Sequence, residues 1–351
     1  MKETRKPLPD TWLDHVRCYV GDLDAAGDRL AGGYGLAVYA RSADEHQRSV
    51  ALGRDAIRVV LTAARTDDHP AAVYVTQHGD GVADIALGTT DAAAAFTEAV
   101  RRGARPVHAP ARAEGVVTAS VLGFGDVVHT FVQRDAGLPV RHLPGLRATG
   151  GAPDPDTGLL EIDHFAVCLE AAQLDATVAF YEEVLDFRMT FEEKIVVGTQ
   201  AMNSKVVRNP SGTVTLTLIE PDTTADPGQI DEFVKNHAGA GVQHVAFRTA
   251  DIAGSVRTMS RGGVEFLTTP PAYYRLLAER LTPLHHSVAE LGELSVLADE
   301  DHGGQLYQIF TRTTHPRGTL FFEVIERVGA TLFGSGNIRA LYQAVEAERS
   351  R

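Results

Sequence analysis

The chain is short of cysteine, of positive charge and of long apolar runs, and each shortage removes a class of function. Only two cysteines occur, Cys18 and Cys168, each inside an apolar, strand-like run. They read as buried free thiols rather than a disulfide. Lysine and arginine total 33 against 46 acidic residues, a net charge of −13. That balance argues against nucleic acid, which needs clustered cations on its phosphates, and against an anionic membrane surface. No stretch approaches the roughly 20 apolar residues of a spanning helix. The opening MKETRKPLPD lacks the apolar core of a signal peptide, so a cytoplasmic protein is expected. No phosphate-binding loop, dinucleotide fingerprint or helical H-E-x-x-H zinc motif is present.

What is there is the balance of a water-soluble globular protein, 44% hydrophobic and 23% charged over 351 residues. At roughly 100–200 residues per domain, two domains are expected. The chain also repeats itself. WLDHVRCYVGDL (12–23) resembles EIDHFAVCLEAAQL (161–174), and GDGVADIALGTTDAAAAF (79–96) resembles GAGVQHVAFRTADIAGSV (239–256). RRGARPVHAP (101–110) and SRGGVEFLTTP (260–270) follow as a further pair. DVVHTFVQR (126–134) then matches TLFFEVIER (319–327), ending on the same Arg. Each half reads as strand, helix, strands, strand, helix, strands. The Gly-, Pro- and Asp-rich LRATGGAPDPDTG (146–158) is a linker. The expected domains are 1–150 and 151–351, with an insertion around 271–300. In the last segment Ile338, Leu341, Tyr342 and Val345 form a helical stripe, with Asn337 as its expected N-cap.

The repeat isolates a candidate metal site. His164, His244 and Glu323 fall where the first half has His15, Asp84 and Thr130. Two imidazoles and a carboxylate form a facial triad that leaves three octahedral positions open. Their wide spacing suits separate strands of one curved sheet. A single His in an apolar run is ordinarily a core histidine. Glu323 changes the balance, because LFFEVIER is too apolar to leave a carboxylate without a partner. The donor set alone does not select iron over zinc or manganese. Cys168, four residues after His164, would share its strand face. His285, His286 and His302 read as solvent-facing, His78 as loop, and Asp299–Gly304 as a turn rather than a calcium loop.

Several stretches resemble the 4-hydroxyphenylpyruvate dioxygenase family. They are IDHFAVCL, YEEVLDFRMTF (181–191), AMNSKVV, DPGQIDEFVKNHAGAGVQHVAF, VEFLTTPPAYYRLL, LADEDHGGQLYQIFT, FFEVIER and GSGNIRALYQAVE, with HGDGVADIA and GFGDVVHTFVQR in the first half. The resemblance implies an α+β fold of two tandem βαβββ modules, the vicinal-oxygen-chelate or glyoxalase-like arrangement. The C-terminal module would be an open barrel around iron(II) on His164, His244 and Glu323, closed by the C-terminal helix. Ser204, Gln308 and Asn337 would lie near the substrate or the open face of the metal. Phe322 and Phe333 would be aromatic walls, and Gln243 would stand beside the second ligand. The implied reaction is oxidative decarboxylation of an arylpyruvate by O2, with either ring attack to homogentisate or benzylic hydroxylation to 4-hydroxymandelate. Dioxygenases usually carry Pro and Asn where this chain has Thr217 and Ile219, and Gly-Asn-Phe where it has Gly336-Asn337-Ile338. These departures resemble the 4-hydroxymandelate synthase branch. The alternatives are a homogentisate-forming dioxygenase and a non-catalytic binding protein of the same fold. A homodimer or homotetramer is expected from exposed strand edges.

Overall fold

The computed structural model describes residues 7–151 and 155–339. The first half runs β1 (Thr11–Tyr19), α1 (Leu23–Gly32), β2 (Ala37–Ala43), β3 (Gln47–Arg54), β4 (Ile57–Ala64), α2 (Pro70–His78), β5 (Gly81–Thr89), α3 (Ala92–Arg101), β6 (Pro106–Ala113), β7 (Val116–Leu122), β8 (Val128–Arg134) and the short β9 (Arg147–Ala148). The second runs β10 (Leu159–Cys168), α4 (Leu174–Val184), β11 (Arg188–Val197), β12 (Gln200–Arg208), β13 (Thr215–Pro221), α5 (Gln229–His237), β14 (Gly241–Thr249), α6 (Ile252–Arg261), α7 (Pro271–Arg280), α8 (Val288–Leu294), β15 (Leu297–Asp301), β16 (Gly304–Phe310) and β17 (Phe321–Val328). Each half is two βαβββ units, and α7 and α8 fill the insertion read in the sequence.

Apart from the short β9, the two sheets have one topology. Their orders are β6-β7-β8-β5-β1-β4-β3-β2-β9 and β11-β12-β13-β10-β14-β17-β16-β15. In each, an antiparallel central pair (β1 with β5, β10 with β14) is flanked by parallel neighbours. One of the two sheets curls into a half-barrel. Local chemistry repeats as well. Asp91 and Asp251, each the last residue of a Thr-x-Asp stretch, cap α3 and α6 by accepting from Ala94 N and Gly254 N at 2.9 Å. Caps of this kind are worth about 1 kcal/mol each.

The halves share one apolar core, in which Val16, Ile85 and Phe131 of the first belong with Phe165, Tyr181 and Phe247 of the second. Polar groups cross the seam too: Tyr181 Oη donates to His129 Nε2 at 2.7 Å. His78 corrects its reading as loop. It ends α2, is buried, and lies between the His237 carbonyl (2.6 Å) and the Asp126 carboxylate (2.9 Å), stacked on the His237 ring. Of the two histidines expected in solvent, His285 is exposed, with 52% of its side chain open, but His286 is only 7% exposed, and both hold the buried Glu326, at 2.8 and 2.9 Å. A carboxylate buried on the outer face of β17 needs partners, and these imidazoles provide them. His302 is exposed as expected. Asp301 accepts from four backbone N–H groups of Gly303, Gly304, Thr331 and Leu332, which makes its loop a turn. Among the described residues no helix is long and apolar enough to cross a membrane.

Candidate metal centre

Strand register brings the three candidate ligands together. His164 on β10 pairs with Ala246, His244 on β14 sits opposite Ala166, and Ala246 pairs in turn with Glu323 on β17. The nearest ligand atoms all lie within 4.8 Å of one another. Glu323 Oε2 is 3.4 Å from His164 Nε2 and 3.2 Å from His244 Nε2. All three side chains are largely out of water.

Two β-bulges supply what alternation would forbid. On β10, Ile162 and His164 pair with consecutive residues of β14, so Asp163 is an extra residue. On β14, Val242 and His244 pair with consecutive residues of β10, so Gln243 is extra. A bulge re-aims its side chain. Here each one turns toward the imidazole beside it. His164 Nδ1–H donates to Asp163 Oδ1 at 2.8 Å, and His244 Nδ1–H donates to Gln243 Oε1 at 3.3 Å. Both rings are thereby held with Nε2 toward Glu323. Asp163 is held in turn by Arg327, through Nε and Nη2 at 2.8 Å each. Gln243 therefore works through a ligand rather than as a pocket wall.

The electrostatics follow from burial and charge. Burial works against charging His164, but the Glu323 and Asp163 carboxylates outweigh it and raise its pKa to about 9. Burial would raise Glu323, but the two imidazoles outweigh it and bring it down to about 2. Burial lowers His244 against the pull of Glu323. Asp163 stays ionised because Arg327 and His164 overcome its desolvation. The site therefore concentrates one carboxylate and two imidazole nitrogens on a common point, which fits a divalent metal ion.

The first half shows the same frame without the donors. Asp14 is again a bulge residue, accepts from His15 Nδ1 at 2.7 Å, and pairs with Arg134. Asp84, in the place of His244, is occupied by Thr130, in the place of Glu323: Thr130 Oγ1 donates to it at 2.6 Å and Thr130 N at 3.1 Å.

Around the triad, register places Ser204 opposite Ile219, and Thr217 and Ile219 beside Ala166 and Cys168. Ile219 and Ile338 pack with Cys168, Ile195 and Met202 in one apolar cluster. Cys168 thus faces the interior without joining the metal ligands. The Phe333 ring stands edge-on to His164 at 5.0 Å and carries the Arg327 guanidinium at 5.0 Å. Thr217 Oγ1, Gln308 Oε1 and Asn337 Nδ2 are buried with no hydrogen-bond partner. Gly334, at φ +73, passes so close to Gln308 that a Cβ there would stand 2.5 Å from Oε1.

Two expectations are corrected. Phe322 is not a wall of this site. Alternation sets it on the opposite face from Glu323, where it packs on Tyr34 and Phe247 at the seam. The inner aromatics that the sequence reading missed are Phe321 and Phe310, with rings 5.0 and 5.6 Å from that of His244. Counting back two residues from Glu323, not one, would have found Phe321. Asn337 is not an N-cap: the helix begins at 335, and Asn337 N donates to Gly334 O at 3.0 Å. Its Oδ1 accepts from Tyr273 Oη at 2.6 Å. Leu341, Tyr342 and Val345 lie outside the described residues.

Two family models match the chain. One is the glyoxalase, bleomycin resistance protein and dioxygenase superfamily, over residues 161–281. The other is the N-terminal part of hydroxyphenylpyruvate dioxygenase, over 33–138. A 4-hydroxyphenylpyruvate dioxygenase from Yarrowia lipolytica is 30% identical over 96% of this chain and 92% of its own length. A probable 4-hydroxyphenylpyruvate dioxygenase 2 from Aspergillus fumigatus is 34% identical over 97% and 94%. Among solved structures, a triple mutant of 4-hydroxymandelate synthase from Streptomyces coelicolor superposes with a TM-score of 0.84 at 42% identity, covering 97% of this chain and 100% of that one. With a full-length match in sequence and in fold, and with the triad in place, the chain belongs to the 4-hydroxyphenylpyruvate dioxygenase family of non-haem iron oxygenases.

Proposed function

We propose that this chain is a 4-hydroxymandelate synthase. It would take 4-hydroxyphenylpyruvate and O2 to 4-hydroxymandelate and CO2, with iron(II) held by His164, His244 and Glu323. In that balance one oxygen atom ends in the new carboxylate and the other in the benzylic hydroxyl. The iron, when bound, supplies open positions for the substrate's own 2-oxo acid and for dioxygen, so no separate oxo-acid cosubstrate is required.

The protein's share is to hold the ring and keep water out. Asn337 Nδ2 offers a donor suited to an anionic oxygen, because Tyr273 occupies the other end of that amide. Gln308 Oε1 offers an acceptor suited to a phenol. Ser204 and Thr217 add hydroxyls on the facing strands, and Phe310, Phe321 and Phe333 flank the imidazoles. The reading is carried by one observation: Ile219 and Ile338, where dioxygenases usually have Asn and Phe, join Cys168 in a continuous apolar patch. Losing an amide and an aromatic wall from the same patch shifts the ring and exposes the benzylic carbon in place of the ring carbon. The 42% identity to a synthase supports it.

The test is to supply iron(II), 4-hydroxyphenylpyruvate and oxygen, and to separate the products chromatographically against both standards. 4-Hydroxymandelate is expected. Homogentisate would make the chain a dioxygenase like the relatives named above and leave Ile219 and Ile338 without a steering role.

A further inference from the structure

A cavity of about 530 Å3 lies at the seam between the halves, lined on one side by Trp12, Leu13 and Arg58 and on the other by residues of β10, β12, β14 and β17. Four guanidiniums line it: Arg58, Arg208, Arg248 and Arg327. Only two carboxylates do, Glu161 and Asp163. Both are spoken for, Glu161 by Arg248 at 2.6 Å and Asp163 by Arg327. Arg58 donates only to the backbone carbonyls of Asp14 and Leu13, and Arg208 only to the Thr215 hydroxyl at 3.1 Å. Neither forms a salt bridge among the described residues. Burial lowers the pKa of Arg58, with the nearby Arg134 and Arg141 adding to the effect against Asp14 and Tyr39. Two half-buried cations with no carboxylate in salt-bridge contact, in a chain of net charge −13, are costly unless something anionic joins them.

We propose that this cavity binds a small phosphate-type oxyanion, as inorganic phosphate or as a phosphomonoester whose organic part lies against Trp12. Guanidiniums match the geometry of such oxyanions through paired N–H donors. The volume falls within the range of small-ligand sites. The site is distinct from the metal pocket but stands next to it, because Arg327 and Asp163 line the cavity and also hold His164.

Trp12 is the only tryptophan in the chain and lines the cavity, so its fluorescence reports on the site directly. The full chain is titrated with phenyl phosphate, and separately with inorganic phosphate, against sodium chloride at matched ionic strength. A saturable change is expected with either phosphate, at least tenfold weaker in Arg208→Gln and in Arg248→Gln. Arg257→Gln, which removes a partner of Glu290 outside the cavity, should bind as wild type. The ligand-free emission spectrum and the thermal midpoint establish that each variant is folded. Tighter binding of phenyl phosphate assigns the apolar wall to an organic group, and equal binding assigns the site to the phosphate alone; both support it. A response no different from that to chloride, or unchanged affinity in folded Arg208→Gln and Arg248→Gln, overturns the proposal.

Discussion

Replacing Asp163 with Asn asks whether the bulge residue, rather than strand geometry alone, holds His164 to its metal. Asp163 accepts from His164 Nδ1 and from two nitrogens of Arg327, all at 2.8 Å. Asn keeps the volume and one acceptor but removes the charge. Arg327, 15% exposed in its side chain, then loses its carboxylate partner and is left with neutral acceptors, among them the carbonyls of Ala330 and Leu332. Partners of metal-bound imidazoles are typically worth 10–100-fold in metal affinity, or about 1.4–2.7 kcal/mol. Breaking a buried ion pair costs stability as well, on the order of 3–5 kcal/mol. The first half provides the control, because Asp14 makes the same contacts with His15 and Arg134 where no metal triad exists. Metal affinity is measured by anaerobic chelator competition, and stability by urea unfolding of the metal-free chain. Asp163→Asn should lose both. Asp14→Asn should lose stability and keep wild-type metal affinity. Affinity within twofold of wild type in folded Asp163→Asn, or an equal loss in Asp14→Asn, would refute the reasoning.

Burial and the neighbouring His78 lower the pKa of His237 to about 4, below the ordinary 6.5. The folded state therefore favours the neutral ring: the stability it contributes is present above pH 6.5 and is lost as pH falls toward 4. The loss is about 3 kcal/mol at most, at ~1.4 kcal/mol per tenfold. Unfolding curves of the metal-free chain should show it, and His237→Phe should flatten it; an unchanged acid limb would count against His237. In Ile338→Phe, restoring the usual aromatic should divert part of the product to homogentisate, read by chromatography, and an unaltered ratio would remove Ile338 from the steering patch. Cys18 and Cys168 are buried, and burial raises both thiols, Cys18 to about 12. A thiol reagent should label them only after unfolding, and rapid labelling of the native chain would contradict their placement.

The repeat made much of this legible. It pointed to two like modules, to the three candidate ligands that the fold brings together, and to their contrast with His15, Asp84 and Thr130, because a duplicated frame with unequal donors shows which side chains the frame itself does not need. What it did not give depends on the phase of strands. Bulges at Asp163 and Gln243 shift alternation by one residue, so neither could be assigned a face from sequence, although the Asp-His pairs and the shared final Arg of the repeat carry the signal. On β17, which has no bulge, strict alternation would have chosen Phe321 over Phe322. The imidazoles on Glu326 escaped notice because they lie within the insertion, 41 and 40 residues from their partner.

The most direct test of the account is the mass of the product made from 4-hydroxyphenylpyruvate carrying deuterium at all four ring positions. Benzylic hydroxylation breaks no ring C–H bond, so the account predicts 4-hydroxymandelate that retains all four deuteriums. Ring attack with side-chain migration must expel one, and a product retaining three would contradict the assignment.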